Sequence, residues 1–170
     1  AGASGSGGAG GTPGAGGVGT LGEVCAPDAT LACAGNAQGD RLVCAGGAWA
    51  SNGACVSGES CDTRSTNQGV CEAIVAGCVG KAGGERFCDG QAVEECGVDL
   101  VTATPVETCT SQACVNGACV GVCQPGTRQC SGLQPEQCDA QGAWQADGSA
   151  CTSVCSGGAC SGTCTPGARQ

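Results

Sequence analysis

Six cysteines recur three times along this chain, which contains no histidine. That recurrence limits the possible folds more than any other feature. Cys25, Cys33, Cys44, Cys55, Cys61 and Cys71 form the first set. Cys78, Cys88, Cys96, Cys109, Cys114 and Cys119 form the second. Cys123, Cys130, Cys138, Cys151, Cys155 and Cys160 form the third, and Cys164 opens a fourth. Eighteen cysteines are thus expected to form a disulfide framework. Cys164 is left as the candidate for an unpaired or intermolecular thiol.

The repeat extends beyond sulfur. Cys123-Gln-Pro-Gly-Thr-Arg-Gln-Cys130 aligns with Cys164-Thr-Pro-Gly-Ala-Arg-Gln170, so a cysteine is expected to follow Gln170 in a longer chain. Cys88 to Cys96 and Cys130 to Cys138 are both eight apart, and Cys96 to Cys109 and Cys138 to Cys151 are both thirteen apart. Gly47-Ala48-Trp49 and Gly142-Ala143-Trp144 fill one slot in sets one and three. Set starts lie 53, 45 and 41 residues apart. Such a period signals an array of small units. The divisions read from it are 1–24 (tether), 25–77, 78–122, 123–163 and a truncated 164–170.

Composition explains why these units need crosslinks. Of 170 residues, 41% count as hydrophobic, but most of these are alanine and cysteine; Val, Leu, Ile, Phe and Trp together number 24. A unit of this size buries too little apolar surface to offset chain entropy, and 34 glycines raise that cost. Disulfides supply the deficit by restricting the unfolded chain. Six cysteines allow fifteen pairings, and the spacing does not choose among them.

Thiolate metal binding is the rival explanation for so much cysteine. Zinc and iron–sulfur sites favour Cys-x-x-Cys pairs, often with histidine. The chain has neither, and its closest pairs, such as Cys119/Cys123 and Cys151/Cys155, have three residues between them. Disulfides imply an oxidising location, outside the cell or at its surface.

Residues 1–22 hold eleven glycines and no charge. They read as a flexible tether, with neither the basic start nor the apolar run of a signal peptide. A processed export signal or a lipid anchor upstream of residue 1 would suit it. If the tract is ordered, a neighbouring subunit is the expected support.

Within the sets, turn signals dominate. Glu85–Cys88, Asp89-Gly90 and Gln91–Cys96 predict a hairpin, with Asp-Gly as a type I′ turn. Arg128–Cys130, Ser131-Gly132 and Leu133–Cys138 repeat it. Asn116-Gly117 and Gly157-Gly158 predict a second hairpin per set, and Asp139–Gly142 predicts a turn leading into Trp144. No segment carries an apolar period of 3.6 residues. The expected fold is small, disulfide-rich and mostly β, with little core and essentially no helix. Trp49 and Trp144 are expected to pack over disulfides.

The third set carries Cys-x-Pro-Gly-x-x-x-Cys-x-Gly, then Cys-x-x-x-Gly-x-Trp, then Cys-x-x-Gly-x-Cys. The residues are Cys123, Pro125, Gly126, Cys130, Gly132, Cys138, Gly142, Trp144, Cys151, Cys155, Gly158, Cys160 and Cys164. This pattern resembles cysteine-rich tandem repeats in large exported proteins of myxobacterial type. The resemblance spans residues 25–170 and implies a cell-surface location; it brings no active site.

Catalysis is disfavoured. Without histidine there is no Ser–His or Cys–His pair. Lys81, the single lysine, has no serine partner in sequence and no P-loop around it. Glu94 and Glu95 are adjacent, so on a strand they face opposite ways. No cofactor, metal or catalytic residue is assigned. Six basic and fifteen acidic residues give a net charge of −9, which disfavours nucleic acid and anionic membranes. No transmembrane run is present. Asp62, Asp89, Asp99, Asp139 and Asp147 are scattered, and read as solubilising surface charge rather than a calcium loop. Threonines such as Thr102, Thr104 and Thr108 offer hydroxyls for O-linked sugars.

The sequence therefore points to a non-enzymatic extracellular structural or adhesive repeat protein, a stalk or fibre subunit, partnered by its own copies or by cell-surface components. The alternatives are a secreted protease inhibitor presenting Arg41, Arg64 or Arg128, and a thiolate metal-binding protein. Replacing Cys88 by serine should destabilise the second set by about 2–4 kcal/mol, read as a lowered denaturant midpoint. An unchanged midpoint would remove the disulfide argument.

Overall fold

The computed structural model describes residues 17–162. The expectations for 1–16, Cys164 and 165–170 lie outside the described residues. The chain divides into two compact units. One holds residues up to 83 with Cys96–Thr102, and the other holds Gly84–Glu95 with residues from Ala103 onward. This division does not follow the cysteine sets, because Cys78 and Cys96 of set two belong to the first unit.

The fold is mostly β, built from small antiparallel sheets. In the first unit, β1 (Leu31–Cys33), β2 (Asp40–Ala45) and β3 (Ala48–Ala54) form one sheet in that order. A two-stranded ribbon of β4 (Glu59–Cys61) and β5 (Cys71–Ala73) follows. A single 3₁₀ turn, Ala76–Cys78, is the one helical element among the described residues.

The second unit repeats the plan. β6 (Arg86–Asp89), β7 (Ala92–Cys96) and β8 (Ala103–Thr108) make a three-stranded sheet, followed by the β9 (Ala113–Val115) and β10 (Ala118–Val120) ribbon. β11 (Arg128–Ser131), β12 (Gln134–Cys138) and β13 (Trp144–Ala146) make the next sheet, followed by the β14 (Val154–Ser156) and β15 (Ala159–Ser161) ribbon. Each set is thus a three-stranded meander followed by a two-stranded ribbon.

The expected hairpins are present, and two turns differ by one residue. Asp89 pairs with Ala92 and Ser131 with Gln134, so the turns are Gly90-Gln91 and Gly132-Leu133. Only the first residue of each has positive φ, 58° at Gly90 and 62° at Gly132. That is the type II′ signature, in which glycine leads, rather than the expected type I′. Asp89 and Ser131 then close the ladder with ordinary strand dihedrals. Asn116-Gly117 and Gly157-Gly158 have two positive φ values each, as type I′ requires.

Residues 17–24 are not a free tether. Cys33 donates its N–H to the Gly17 carbonyl at 2.6 Å, and Gly19 donates to Cys33 O at 2.8 Å. Trp49 N–H bonds to Glu23 O, and Gly22 N–H bonds to Trp49 O, both at 2.9 Å. The segment therefore straps both outer edges of the sheet, residues 17–19 along β1 and residues 22–24 along β3, and its support comes from its own chain. Glycine is what makes the fit possible. A Cβ on Gly19 would sit 2.8 Å from the Trp49 indole nitrogen, and one on Gly17 would sit 2.5 Å from Thr63 O.

Nine disulfides join the eighteen cysteines of the three sets, with one connectivity used three times. First bonds third: Cys25–Cys44, Cys78–Cys96 and Cys123–Cys138. Second bonds fifth: Cys33–Cys61, Cys88–Cys114 and Cys130–Cys155. Fourth bonds sixth: Cys55–Cys71, Cys109–Cys119 and Cys151–Cys160. The three loops of a set overlap in sequence without nesting, so meander and ribbon are linked as in a chain. Most of the core is these sulfurs. Cys33, Cys61 and Cys78 have no exposed surface, while Val93 is the largest fully buried side chain and Phe87 is 8% exposed.

The tryptophans follow the same logic. Trp49 stands across the ladder from Cys44, and Trp144 from Cys138. Directly opposed residues share a sheet face, so each half-buried indole lies on the side of its first-to-third bridge.

A glycine two residues before the sixth cysteine recurs in every set: Gly69, Gly117 and Gly158, with φ of 76°, 77° and 78°. Each abuts the residue two before the second cysteine. Added Cβ atoms would lie 2.5 Å from Leu31 Cβ at Gly69 and 2.6 Å from the Arg86 backbone at Gly117, and would meet Arg128 at Gly158. Gly117 and Gly158 also donate their N–H groups to Cys88 and Cys130 sulfur at 3.3 Å. Gly117→Ala should therefore cost about 2–4 kcal/mol, combining positive-φ strain with overpacking. Gly132→Ala, with open space around its Cβ position, should cost about 1 kcal/mol from φ alone. Equal losses in urea melts would reject the packing role.

Candidate functional site

The largest grouping of charged side chains with shared hydrogen bonds lies in the first unit. The loop between β4 and β5 supplies Asp62, Thr63, Arg64 and Asn67, β5 supplies Glu72, and the loop between β7 and β8 supplies Asp99. Asp62 is fully buried and Asp99 is 2% exposed. Both were read from sequence as solubilising surface charge, and the structure overturns that reading. Their side chains turn inward because each finds enough donors there to replace water.

Asp62 is met by Arg64 three ways. The Arg64 backbone N–H reaches Oδ1 at 2.7 Å, Nε reaches Oδ1 at 2.9 Å, and Nη2 reaches Oδ2 at 2.6 Å. Nη2 also bonds Glu72 Oε2 at 2.7 Å, while Asn67 Nδ2 donates to Glu72 Oε1 at 2.5 Å. Asp99 Oδ2 accepts from Thr63 N–H at 3.2 Å and Thr63 Oγ1 at 3.0 Å, and its Oδ1 accepts from Val101 N–H at 3.3 Å. The Arg64 side chain, opposed by desolvation, holds the Asp62 carboxyl below its ordinary value, with further help from the Arg64 backbone N–H. Asp62 in turn raises the Arg64 guanidinium above its usual range.

Beside this network lies a shallow open depression of about 540 Å³, lined by Thr63, Arg64, Ser65, Val98, Asp99 and Thr102. Its two ionisable side chains, Arg64 and Asp99, are already engaged with protein donors and acceptors. The arrangement braces two loops.

Other residues singled out from sequence are dispersed. Glu95 pairs with Arg86 at 3.3 Å on the cross-strand position, while Glu94 lies opposite Phe87. Lys81 follows the 3₁₀ turn, its N–H bonded to Cys78 O. Arg64 is held by two carboxylates, Asp62 at 2.6 Å and Glu72 at 2.7 Å. Arg128 pairs with Asp147 at 3.4 Å. Arg41 lies on β2 and donates from Nη2 to Asn52 O at 3.0 Å. Asp89 is exposed, as expected.

Asp139 organises the turn before Trp144. Its Oδ1 accepts from Gln141 and Ala143 N–H at 2.9 Å each, and its Oδ2 from Gln145 at 3.1 Å. The Ala143 N–H, above all, lowers its pKa.

Metal ligation has one geometric candidate among the described residues. Cys55, Glu59 and Cys71 place their ligand atoms within 4.8 Å of one another. The two sulfurs are bonded together, and a disulfide does not offer the thiolate that binds metal. No described helix is long and apolar enough to cross a membrane. No family model, curated protein or solved structure matches this chain.

The lowered carboxyl values set a pH dependence. Asp62 and Asp139 titrate lower when folded than their ordinary 3.8. Their stabilisation is complete above that value and is lost as pH falls through the depressed folded values. Unfolding midpoints should thus fall steeply below about pH 4. Asp62→Asn should flatten that fall while lowering stability at neutral pH. A wild-type slope in the variant would mean the network contributes nothing.

Proposed function

We propose that this is a non-enzymatic extracellular protein with a structural or adhesive role, built from tandem disulfide-braced sets as a surface stalk or fibre subunit. The observation that carries the reading is the single first-to-third, second-to-fifth, fourth-to-sixth connectivity used in all three sets. Dense disulfide bonding suits an oxidising extracellular environment. Repeating one braced unit lengthens a rigid body without requiring a pocket.

Sequence variation between sets agrees with this reading. What recurs is what closes the unit: the cysteines, the glycine before the sixth cysteine, and the hairpin turns. The connecting loops differ in length and chemistry, so no side-chain constellation is repeated for recognition. The likeness of the third set to exported myxobacterial-type repeats points the same way. Cys164, if it bonds between copies, would join them covalently.

Non-reducing electrophoresis and negative-stain microscopy test the proposal. Elongated particles or disulfide-linked ladders are expected. A compact monomer that inhibits trypsin-like proteases would replace it with the inhibitor reading.

A further inference from the structure

The chain has two Asn-Gly steps, Asn52-Gly53 and Asn116-Gly117, and the fold treats them in opposite ways. Asn116-Gly117 is the tight turn of the β9–β10 ribbon. Gly117 is buried, its N–H donates to Cys88 sulfur at 3.3 Å, and it sits against the Arg86 backbone. Cys114 and Cys119, two residues out on either side, are both bridged.

Asn52-Gly53 lies in β3 where the ladder slips. Asp40 pairs with Ala54 but Leu42 pairs with Ser51, so Asn52 and Gly53 together oppose Arg41 in a β-bulge. Gly53 is exposed, with φ of 77°, and the nearest atom to an added Cβ is Arg41 Nη2 at 3.7 Å. Arg41 Nη2 donates to the Asn52 carbonyl oxygen at 3.0 Å. Arg41 Nε is buried without an acceptor.

We propose that Asn52-Gly53 is a self-modification site, at which the chain closes a succinimide and opens it to aspartate or isoaspartate, with Arg41 as the activating group. The nucleophile is the Gly53 amide nitrogen after loss of its proton to hydroxide. The resulting negative charge is shared with Asn52 O, the atom that receives the guanidinium hydrogen bond. The nitrogen attacks Asn52 Cγ and a new N–C bond forms. The Cγ–Nδ2 bond breaks and ammonia leaves with a proton from solvent. Water then adds to either ring carbonyl, so the net change is one water consumed and one ammonia released. In the isoaspartate product the free carboxylate forms at the Asn52 main-chain carbon, whose oxygen Arg41 Nη2 already bonds and near which Nε has no acceptor. Solvent exposure alone would rank Asn116 first, since Asn116 is exposed and Asn52 half-buried. Open space around Gly53 and amide activation by Arg41 rank Asn52 first. The inference does not depend on the structural role proposed above.

The test is incubation of the folded, fully oxidised protein at mildly alkaline pH, with peptide mapping by mass spectrometry at intervals. Asn52 should convert faster than Asn116. Arg41→Gln should slow Asn52 by about tenfold, the worth of one charged hydrogen bond in the rate-limiting step, and leave Asn116 unchanged. In the reduced, alkylated chain the two sites should react alike and the Arg41 effect should vanish. Equal or faster reaction at Asn116 in the folded wild type overturns the proposal, as does an unchanged Asn52 rate in a correctly bridged Arg41→Gln. If that variant fails to form its nine bridges, the ratio of the two sites in the wild type decides alone.

Discussion

The second-to-fifth disulfide of each set holds the meander to the ribbon. Cys33–Cys61, Cys88–Cys114 and Cys130–Cys155 close loops of 28, 26 and 25 residues, the longest in each set. Longer loops remove more entropy from the unfolded chain. Neither a two-stranded ribbon nor a meander with this little apolar surface is stable alone. In the second and third sets, the glycine N–H on the bridge sulfur fixes where the ribbon tip rests. The recurrent glycine packs close beside that crosslink, against the residue two before its first cysteine.

Polar chemistry supplies what sulfur does not. Between Cys61 and Cys71 the chain makes a nine-residue loop with few apolar side chains. Asp62, Arg64, Asn67 and Glu72 replace a core there. Buried charges are costly unless fully partnered, and Asp62 is satisfied mainly by one arginine two residues away. Asp99 extends the same principle to the loop between β7 and β8. Asp139 plays a smaller part in the third set, where it orders a turn by accepting two backbone N–H groups.

Strand edges are handled differently in each sheet. Residues 17–19 strap the outer edge of β1 and residues 22–24 that of β3. β8 is six residues long and mostly exposed, but carries Pro105, which lacks a donor. β13 is three residues long.

From the residue order alone came the three sets, the β class, the hairpins at Asn116-Gly117 and Gly157-Gly158, and the need for crosslinks. Those follow from spacing, turn chemistry and a shortage of large apolar residues, all local or compositional properties. The pairing of cysteines was not legible, because fifteen arrangements satisfy the same spacing and only packing chooses one. Nor was the fate of residues 17–24: a glycine-rich composition describes a free chain, yet the lack of side chains is what lets the backbone reach Trp49 and Thr63. Asp62 and Asp99 looked like surface charge because burial leaves no mark in composition: Asp62 meets Arg64 within its own loop, while Asp99 meets Thr63 only once two loops distant in sequence come together. Tertiary structure decided these points, since burial and hydrogen-bond partnership are relations between segments and leave no periodic mark on either one.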